Sequence, residues 1–125
     1  MIMRHYVQGY ESFFELMKNF KSNESVYVLY TGTKLQNGNS WCPDCVKAEP
    51  TIEEGFKTAP EGTHFVEVQV GDRPFWKDSN CPFRTNSITK LKVLPTLAKW
   101  ETQKRLEGSQ CSQLDLIEML LTDED

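Results

Sequence analysis

The chain predicts an α/β fold, a mixed central β-sheet flanked by helices on both faces. Three observations carry that reading. Val26-Tyr27-Val28-Leu29-Tyr30-Thr31 is rich in β-branched and aromatic residues without a polar interruption, the pattern of a strand covered on both faces. His64-Phe65-Val66-Glu67-Val68-Gln69-Val70 alternates with a period of two. Around these runs, apolar residues recur at helical offsets of three and four. At 125 residues the chain is read as one domain, 1–125, large enough to bury its own core.

Residues 3–8 predict a short first strand. Tyr10, Phe13, Phe14, Met17 and Phe20 line one face of a helix over 11–20, which ends in the polar Lys21-Ser22-Asn23-Glu24-Ser25. The buried strand 26–31 follows, then a polar loop over 32–40 with two glycines. Its order of residues lacks the Gly-Lys-Ser/Thr ending of a phosphate-binding loop, so it is read as a flank of what comes next. A helix from Pro43 to about Gly55 places Cys45, Ala48, Ile52 and Phe56 on one face, and Pro50 is expected to bend it. After the strand at 64–70, Arg73-Pro74-Phe75-Trp76 reads as a break in the chain. Pro82 to Asn86 reads as a helical turn or a short helix. Leu91 to Trp100 carries a further strand pattern around Pro95, with Arg105-Leu106-Glu107 as an edge strand beside it. Ser112-Gln113-Leu114-Asp115 resembles a capping box, opening a last helix whose buried stripe is Leu116, Ile117, Leu120 and Leu121. The acidic Asp123-Glu124-Asp125 is expected to fray. The order is β-α-β-α-β-(α)-β-β-α.

Composition narrows the function. Hydrophobic residues make up 38% and charged residues 26%, as in ordinary soluble proteins, and a net charge of −4 argues against nucleic acid as a partner. The N-terminus lacks the apolar core of a signal peptide. The longest apolar run, Val26 to Tyr30, is far too short to span a membrane. A cytoplasmic location is the expectation, with no membrane partner. In a reducing compartment four cysteines suggest catalysis, metal binding or inert core thiols rather than structural bridges.

Ser40-Trp41-Cys42-Pro43-Asp44-Cys45 joins the buried strand to the helix. A sulfur at that junction faces the unpaired amides and the positive end of the helix, which favour its thiolate. Pro43 suits the first helical turn, where a missing N–H costs nothing. Cys45 lies about one turn on, within reach for a disulfide with Cys42. Cys42 is read as the nucleophile, being the thiol at the helix start and the more exposed of the two, and Cys45 as the resolving thiol. Asp44 opposes the helix field at Cys42, pushing its pKa upward. The balance is expected near 6–7, within the range of about 3.5–7.5 for such thiols. A zinc site is not expected. Only one cysteine pair exists, while Cys81, Cys111, His5 and His64 are scattered singly. Cys81 and Cys111 read as inert or regulatory thiols.

These residues resemble the thioredoxin superfamily. Trp41-Cys-x-x-Cys45 matches its active site, Pro50 its kinking helix proline, and Val93-Leu94-Pro95-Thr96 the segment whose cis-proline faces the dithiol. The run Trp-Cys-Pro-Asp-Cys at 41–45 is followed by Ala48-Glu49-Pro50, Val70-Gly71, Pro74 with Trp76-Lys77-Asp78, and Glu118-Met119-Leu120. That set is similar to the fourteen-kilodalton thioredoxin-related branch of the superfamily.

The resemblance implies a thioredoxin-like fold and a cytosolic protein-disulfide reductase acting on cystine and other small or selected disulfides. It implies no bound cofactor, with electrons arriving from NADPH through thioredoxin reductase. Its implied partners are thioredoxin reductase, disulfide substrates and a dynein light chain, with the protein itself a monomer. Trp41, Leu94 and Pro95 are the implied substrate-docking residues, and the 33–40 loop and the 71–87 segment are implied to narrow which proteins dock. The chain departs from thioredoxin at Leu29, where that family carries a buried aspartate. Glu67, on the neighbouring strand, is the carboxylate read as its substitute, taking the proton of Cys45. Pro43, Asp44 and Glu67 are thus the residues expected to tune the redox centre. A different class of function stands beside the enzyme: a redox-sensing adaptor whose dithiol state gates partner binding.

Overall fold

The computed structural model describes residues 2–122; the acidic tail over 123–125 lies outside them. Five strands form one sheet: β1 Met3–Gln8, β2 Val26–Thr31, β3 His64–Gln69, β4 Thr96–Lys99 and β5 Arg105–Glu107. Their spatial order is β1-β3-β2-β4-β5, with β1 and β2 both parallel to β3 and β4 and β5 antiparallel. β2 is the central strand, and all six of its residues are buried. That explains its unbroken apolar run, since side chains alternating to both faces each meet a packed layer.

Helices α1 Tyr10–Met17, α2 Pro43–Phe56, α3 Arg73–Lys77, α4 Pro82–Thr85 and α5 Leu114–Thr122 complete the fold, with a 3₁₀ turn at Gly108–Ser112. In one core layer Phe13, Met17 and Phe83 pack against Val28, Tyr30, Val66 and Val68. In the other, Ala48, Ile52 and Phe56 of α2 and Ile117, Leu120 and Leu121 of α5 pack against Tyr27, Leu29, Phe65 and Leu97. The expected α/β architecture, helices on both faces of a mixed sheet, is what the chain adopts. α2 and α5 approach closely at Gly55, where a β-carbon would lie 2.4 Å from Ile117 Cγ2. Only glycine leaves room for that branched side chain.

Local details differ from the sequence reading, each for a physical reason. Arg73-Pro74-Phe75-Trp76 does not break the chain but forms α3. Asp72 caps it, its Oδ1 accepting from Phe75 N at 3.0 Å, and a proline in the first turn loses no hydrogen bond. α1 stops at Met17 instead of Phe20. Phe20 lies beyond two tight turns and packs edge-on against His5 and His64. The strand expected around Pro95 begins only at Thr96, since proline has no N–H for the ladder. The capping box falls at Glu107 and Gln110, not at Ser112 to Asp115. Gln110 Oε1 accepts from Glu107 N at 2.9 Å, while Ser112 belongs to the 3₁₀ turn itself. Pro50 lies inside α2, which spans Pro43–Phe56.

Candidate active site

The end of β2 leads into a hairpin-like loop, closed by a bridge between Lys34 and Ser40 and by Trp41 N donating to the Thr33 carbonyl at 3.3 Å. The loop delivers Trp41 and Cys42 to the start of α2. Cys42 is the N-cap of that helix: its backbone is extended (φ −92°, ψ 109°) and its sulfur accepts from Cys45 N at 3.2 Å. The position that usually holds a serine or aspartate oxygen here holds a sulfur, so the helix amide that needs an acceptor stabilises a thiolate. Ser40 Oγ accepts from Cys42 N at 3.1 Å and fixes the entry angle.

Both thiols are free, and 6% and 5% of Cys42 and Cys45 respectively are exposed. Their exposed fractions are nearly equal, but Cys42 opens on a groove in front of the site that Cys45 does not line. Electrostatics separates them further. Cys42 is lowered to about 7, first by the hydrogen bond from the Cys45 thiol and then by the backbone amides of Cys45 and Asp44, against burial and the Asp44 charge. Cys45 is raised by that same hydrogen bond to Cys42 and by burial, which outweigh the Thr31 side chain and the Gly32 backbone. One proton is shared by two sulfurs, and the geometry leaves it on Cys45.

The sign at Asp44 gives a prediction. Its carboxylate raises Cys42, so Asp44→Asn lowers the Cys42 pKa below about 7. Alkylation of Cys42 at pH 6 then speeds up by about two- to threefold, the size expected of one exposed charge. Thiolate absorbance against pH reads the shift directly, and an upward movement would refute the repulsion argument.

Trp41 is pinned by its indole Nε1, which donates to the Gly71 carbonyl at 2.8 Å. The same carbonyl accepts from Thr33 N at 3.0 Å, so Gly71 ties the loop and the tryptophan to the end of β3. Gly71 has φ +136°, a conformation that favours glycine, and a β-carbon on Gly32 would lie 2.7 Å from the Trp41 ring. Neither glycine was singled out in the sequence as part of the site, nor were Ser40 and Thr31. The glycines beside a Trp-Cys junction were the available signal.

Leu94–Pro95 is a cis peptide, as the resemblance implied. The Leu94 carbonyl lies 3.9 Å from Cys42 Sγ, facing the dithiol. The Pro95 carbonyl instead accepts from Gly108 N at 2.8 Å, so Leu94 is the residue of this pair that offers a backbone group to the site. Trp41, Cys42, Pro43 and Leu94 line a groove of about 430 Å³ together with residues of α3, α4 and the 92–94 segment. Trp76, 5% exposed, also forms part of this wall.

Glu67 pairs with Leu29 in the β2–β3 register and forms an ion pair with Lys34 of the loop, at 3.9 Å. Burial, first of all, raises its carboxyl; Glu49 and Glu53 raise it further, while Lys34 and Arg4 pull it down. The groups that shift Cys45 are Cys42, Thr31 and Gly32, a set that does not overlap with these. Cys81 is buried in the same core layer as the dithiol, and Cys111 in the other layer. Burial pushes the Cys111 thiol up to about 12, which makes it a poor nucleophile. Among the described residues no group of three or more His, Cys, Asp or Glu side chains is arranged to hold a metal ion.

A parallel-antiparallel sheet with a cysteine-capped helix at the end of its central strand and a cis-proline facing the sulfur defines a thioredoxin-like domain. More narrowly, residues 6–123 match the family model described as "Thioredoxin domain-containing protein 17-like, thioredoxin domain". The chain is 42% identical over 118 residues to thioredoxin domain-containing protein 17 of Homo sapiens, covering 94% of each. It is 36% identical over 126 residues to the protein of that name from Epinephelus coioides, covering 98% of this chain and all of the relative. Against the thioredoxin-like protein Clot of Arabidopsis thaliana it is 41% identical over 87 residues, 67% of this chain and 65% of Clot. The chain belongs to the thioredoxin domain-containing protein 17-like family.

Proposed function

We propose that the protein is a dithiol–disulfide oxidoreductase working as a protein-disulfide reductase. The observation that carries this reading is the place of Cys42 at the N-cap of α2, its sulfur accepting from Cys45 N at 3.2 Å beside the Leu94 carbonyl; that arrangement lowers Cys42 to about 7 and raises Cys45. An attacking thiol is most effective with a pKa near ambient pH, and a resolving thiol must stay protonated until the first exchange is complete. Cys42 S⁻ attacks one sulfur of a substrate disulfide, forming a mixed disulfide and releasing the other sulfur as thiolate. Once Cys42 is bonded to substrate its thiolate no longer accepts from the Cys45 thiol, so the largest cause raising Cys45 is removed and burial alone remains. Cys45 loses its proton and attacks Cys42, the second substrate thiolate leaves, and a Cys42–Cys45 disulfide remains. Cystine and other small or selected disulfides are the proposed substrates. NADPH, through thioredoxin reductase, is the proposed source of the two electrons that restore the dithiol, in the cytoplasm.

With NADPH, thioredoxin reductase and cystine, the wild-type chain is expected to consume NADPH in proportion to its concentration, and Cys42→Ser to abolish that turnover. Binding of partners without turnover would instead favour the adaptor.

Glu67 is the base we propose for the proton of Cys45. Its support is burial that raises its carboxyl and its place opposite Leu29; because different groups shift the two residues, the transfer is indirect. Glu67→Gln is expected to slow the resolving step by about tenfold or more, at the lower end of or below what a general base usually contributes. The same change should remove one limb of the pH–rate profile. A profile identical to wild type ends that assignment.

A further inference from the structure

The chain carries 18 acidic and 14 basic residues, yet the groove in front of Cys42 has the opposite sign. Of its ten lining residues four are bases, Arg73, Lys77, Arg84 and Lys92, and none is an acid. Arg84 is fixed in place: its guanidinium carbon stands 3.8 Å from the centre of the Trp76 ring, and its Nε donates to the Trp76 carbonyl at 2.7 Å. Arg73, Lys77 and Lys92 are exposed. None of the ion pairs found among the described residues involves any of the four. The nearby acids are turned to other work. Asp72 caps α3 and Asp78 accepts from Asn80 N, and neither they nor Asp44 line the groove.

Four cations gathered in one groove repel each other, and no acidic side chain lines it to offset them. The groups that lower Cys42 are Cys45 and the first amides of α2, so these side chains are not what holds the thiolate. Their field is directed at whatever enters. A groove of about 430 Å³ accommodates a small molecule or a few residues of a peptide, within the usual range of ligand sites.

We propose that the groove selects disulfides bearing carboxylates or other anionic groups within a few bonds of the sulfur–sulfur bond, held by Arg73, Lys77 and Lys92 against the Arg84–Trp76 wall. The selection rests on the dithiol exchange proposed above. In it the Cys42 thiolate displaces one thiolate of the anionic disulfide, Cys45 displaces the other, and both electrons come from the protein dithiol. The cations also offset the repulsion between an anionic substrate and the attacking thiolate, which a neutral groove leaves in place.

The test compares two disulfides of matched length and opposite charge, 3,3′-dithiodipropionate and cystamine. The full-length protein is reduced beforehand and followed through a single turnover, so no reductase is needed. Oxidation of Cys42 and Cys45 is read by acid quench, alkylation and peptide mass. Each rate constant is divided by that of dithiothreitol with the same disulfide, which removes the difference in leaving-group chemistry. The normalised rate for the dianion is expected to exceed that for the dication by about tenfold or more at low salt, the lower end of electrostatic focusing. That ratio falls toward one in 0.5 M salt and in the double variant Arg73→Gln/Lys92→Gln, whose exposed positions leave the core untouched. A normalised ratio at or below one in wild type overturns the selection while leaving dithiol exchange standing. If neither disulfide oxidises the protein, the exchange itself fails and the selection with it.

Discussion

Cys45→Ser is expected to convert a turning-over protein into a trap. Cys42 keeps its place as the α2 cap and still accepts the amide of residue 45 at about the 3.2 Å seen here, because that donor is backbone. The first exchange with a disulfide therefore proceeds, and the mixed disulfide on Cys42 has no neighbouring thiol to release it. Steady-state turnover drops by about 10³-fold or more, as expected when one member of a cooperating pair is removed. A covalent adduct of one substrate half accumulates on Cys42 and is visible by intact mass. A serine hydroxyl donates to the Cys42 sulfur in place of the Cys45 thiol, so the largest cause lowering Cys42 is retained. The pH at which adduct formation is half-maximal therefore stays near 7. Unimpaired turnover in this variant would show that Cys45 is not the resolving thiol.

Phe83→Ala is expected to have the largest effect on stability among changes outside the dithiol. Phe83 is fully buried, and its ring meets Tyr10, Phe13 and Tyr30, so one side chain of the 71–87 segment joins α1 and the central strand. Its backbone carbonyl also accepts from Thr89 Oγ1 at 2.8 Å and from Leu91 N at 2.9 Å. Removing the ring deletes buried apolar surface and leaves a cavity that three neighbours fill only partly, at a cost of about 3–5 kcal/mol. For a chain of this length the melting temperature falls by about 10 °C or more. Because Arg84 follows directly and braces Trp76, the groove loosens as well. A variant melting within about 2 °C of wild type would mean that the segment is not anchored by this ring.

Much of the fold was legible because it rests on local patterning. β2 announced itself by a run with no polar face, and the structure buries it between two packed layers. α2 was legible from Pro43 at its start and the Cys45–Ala48–Ile52–Phe56 stripe, all four stripe residues buried while the proline is exposed. The 71–87 segment was opaque for the opposite reason. Its helices are five and four residues long, too short to show a period, and are held by Asp72, Phe83 and tertiary contacts. The capping box was misplaced because Ser112 belongs to the 3₁₀ turn, while Glu107, not a usual cap residue, closes the box with Gln110.

The sequence by itself determined the class of fold and the pairing of two thiols at a strand–helix junction, since both depend on residues close along the chain. It also determined the sign of the Asp44 effect, because charge and spacing suffice for that. Tertiary structure alone decided that Gly71 holds Trp41. It also brought four cations from three segments to one groove in front of Cys42. Contacts between residues 30 to 50 positions apart leave no periodic trace in a sequence, so only the folded chain reveals the field a substrate meets.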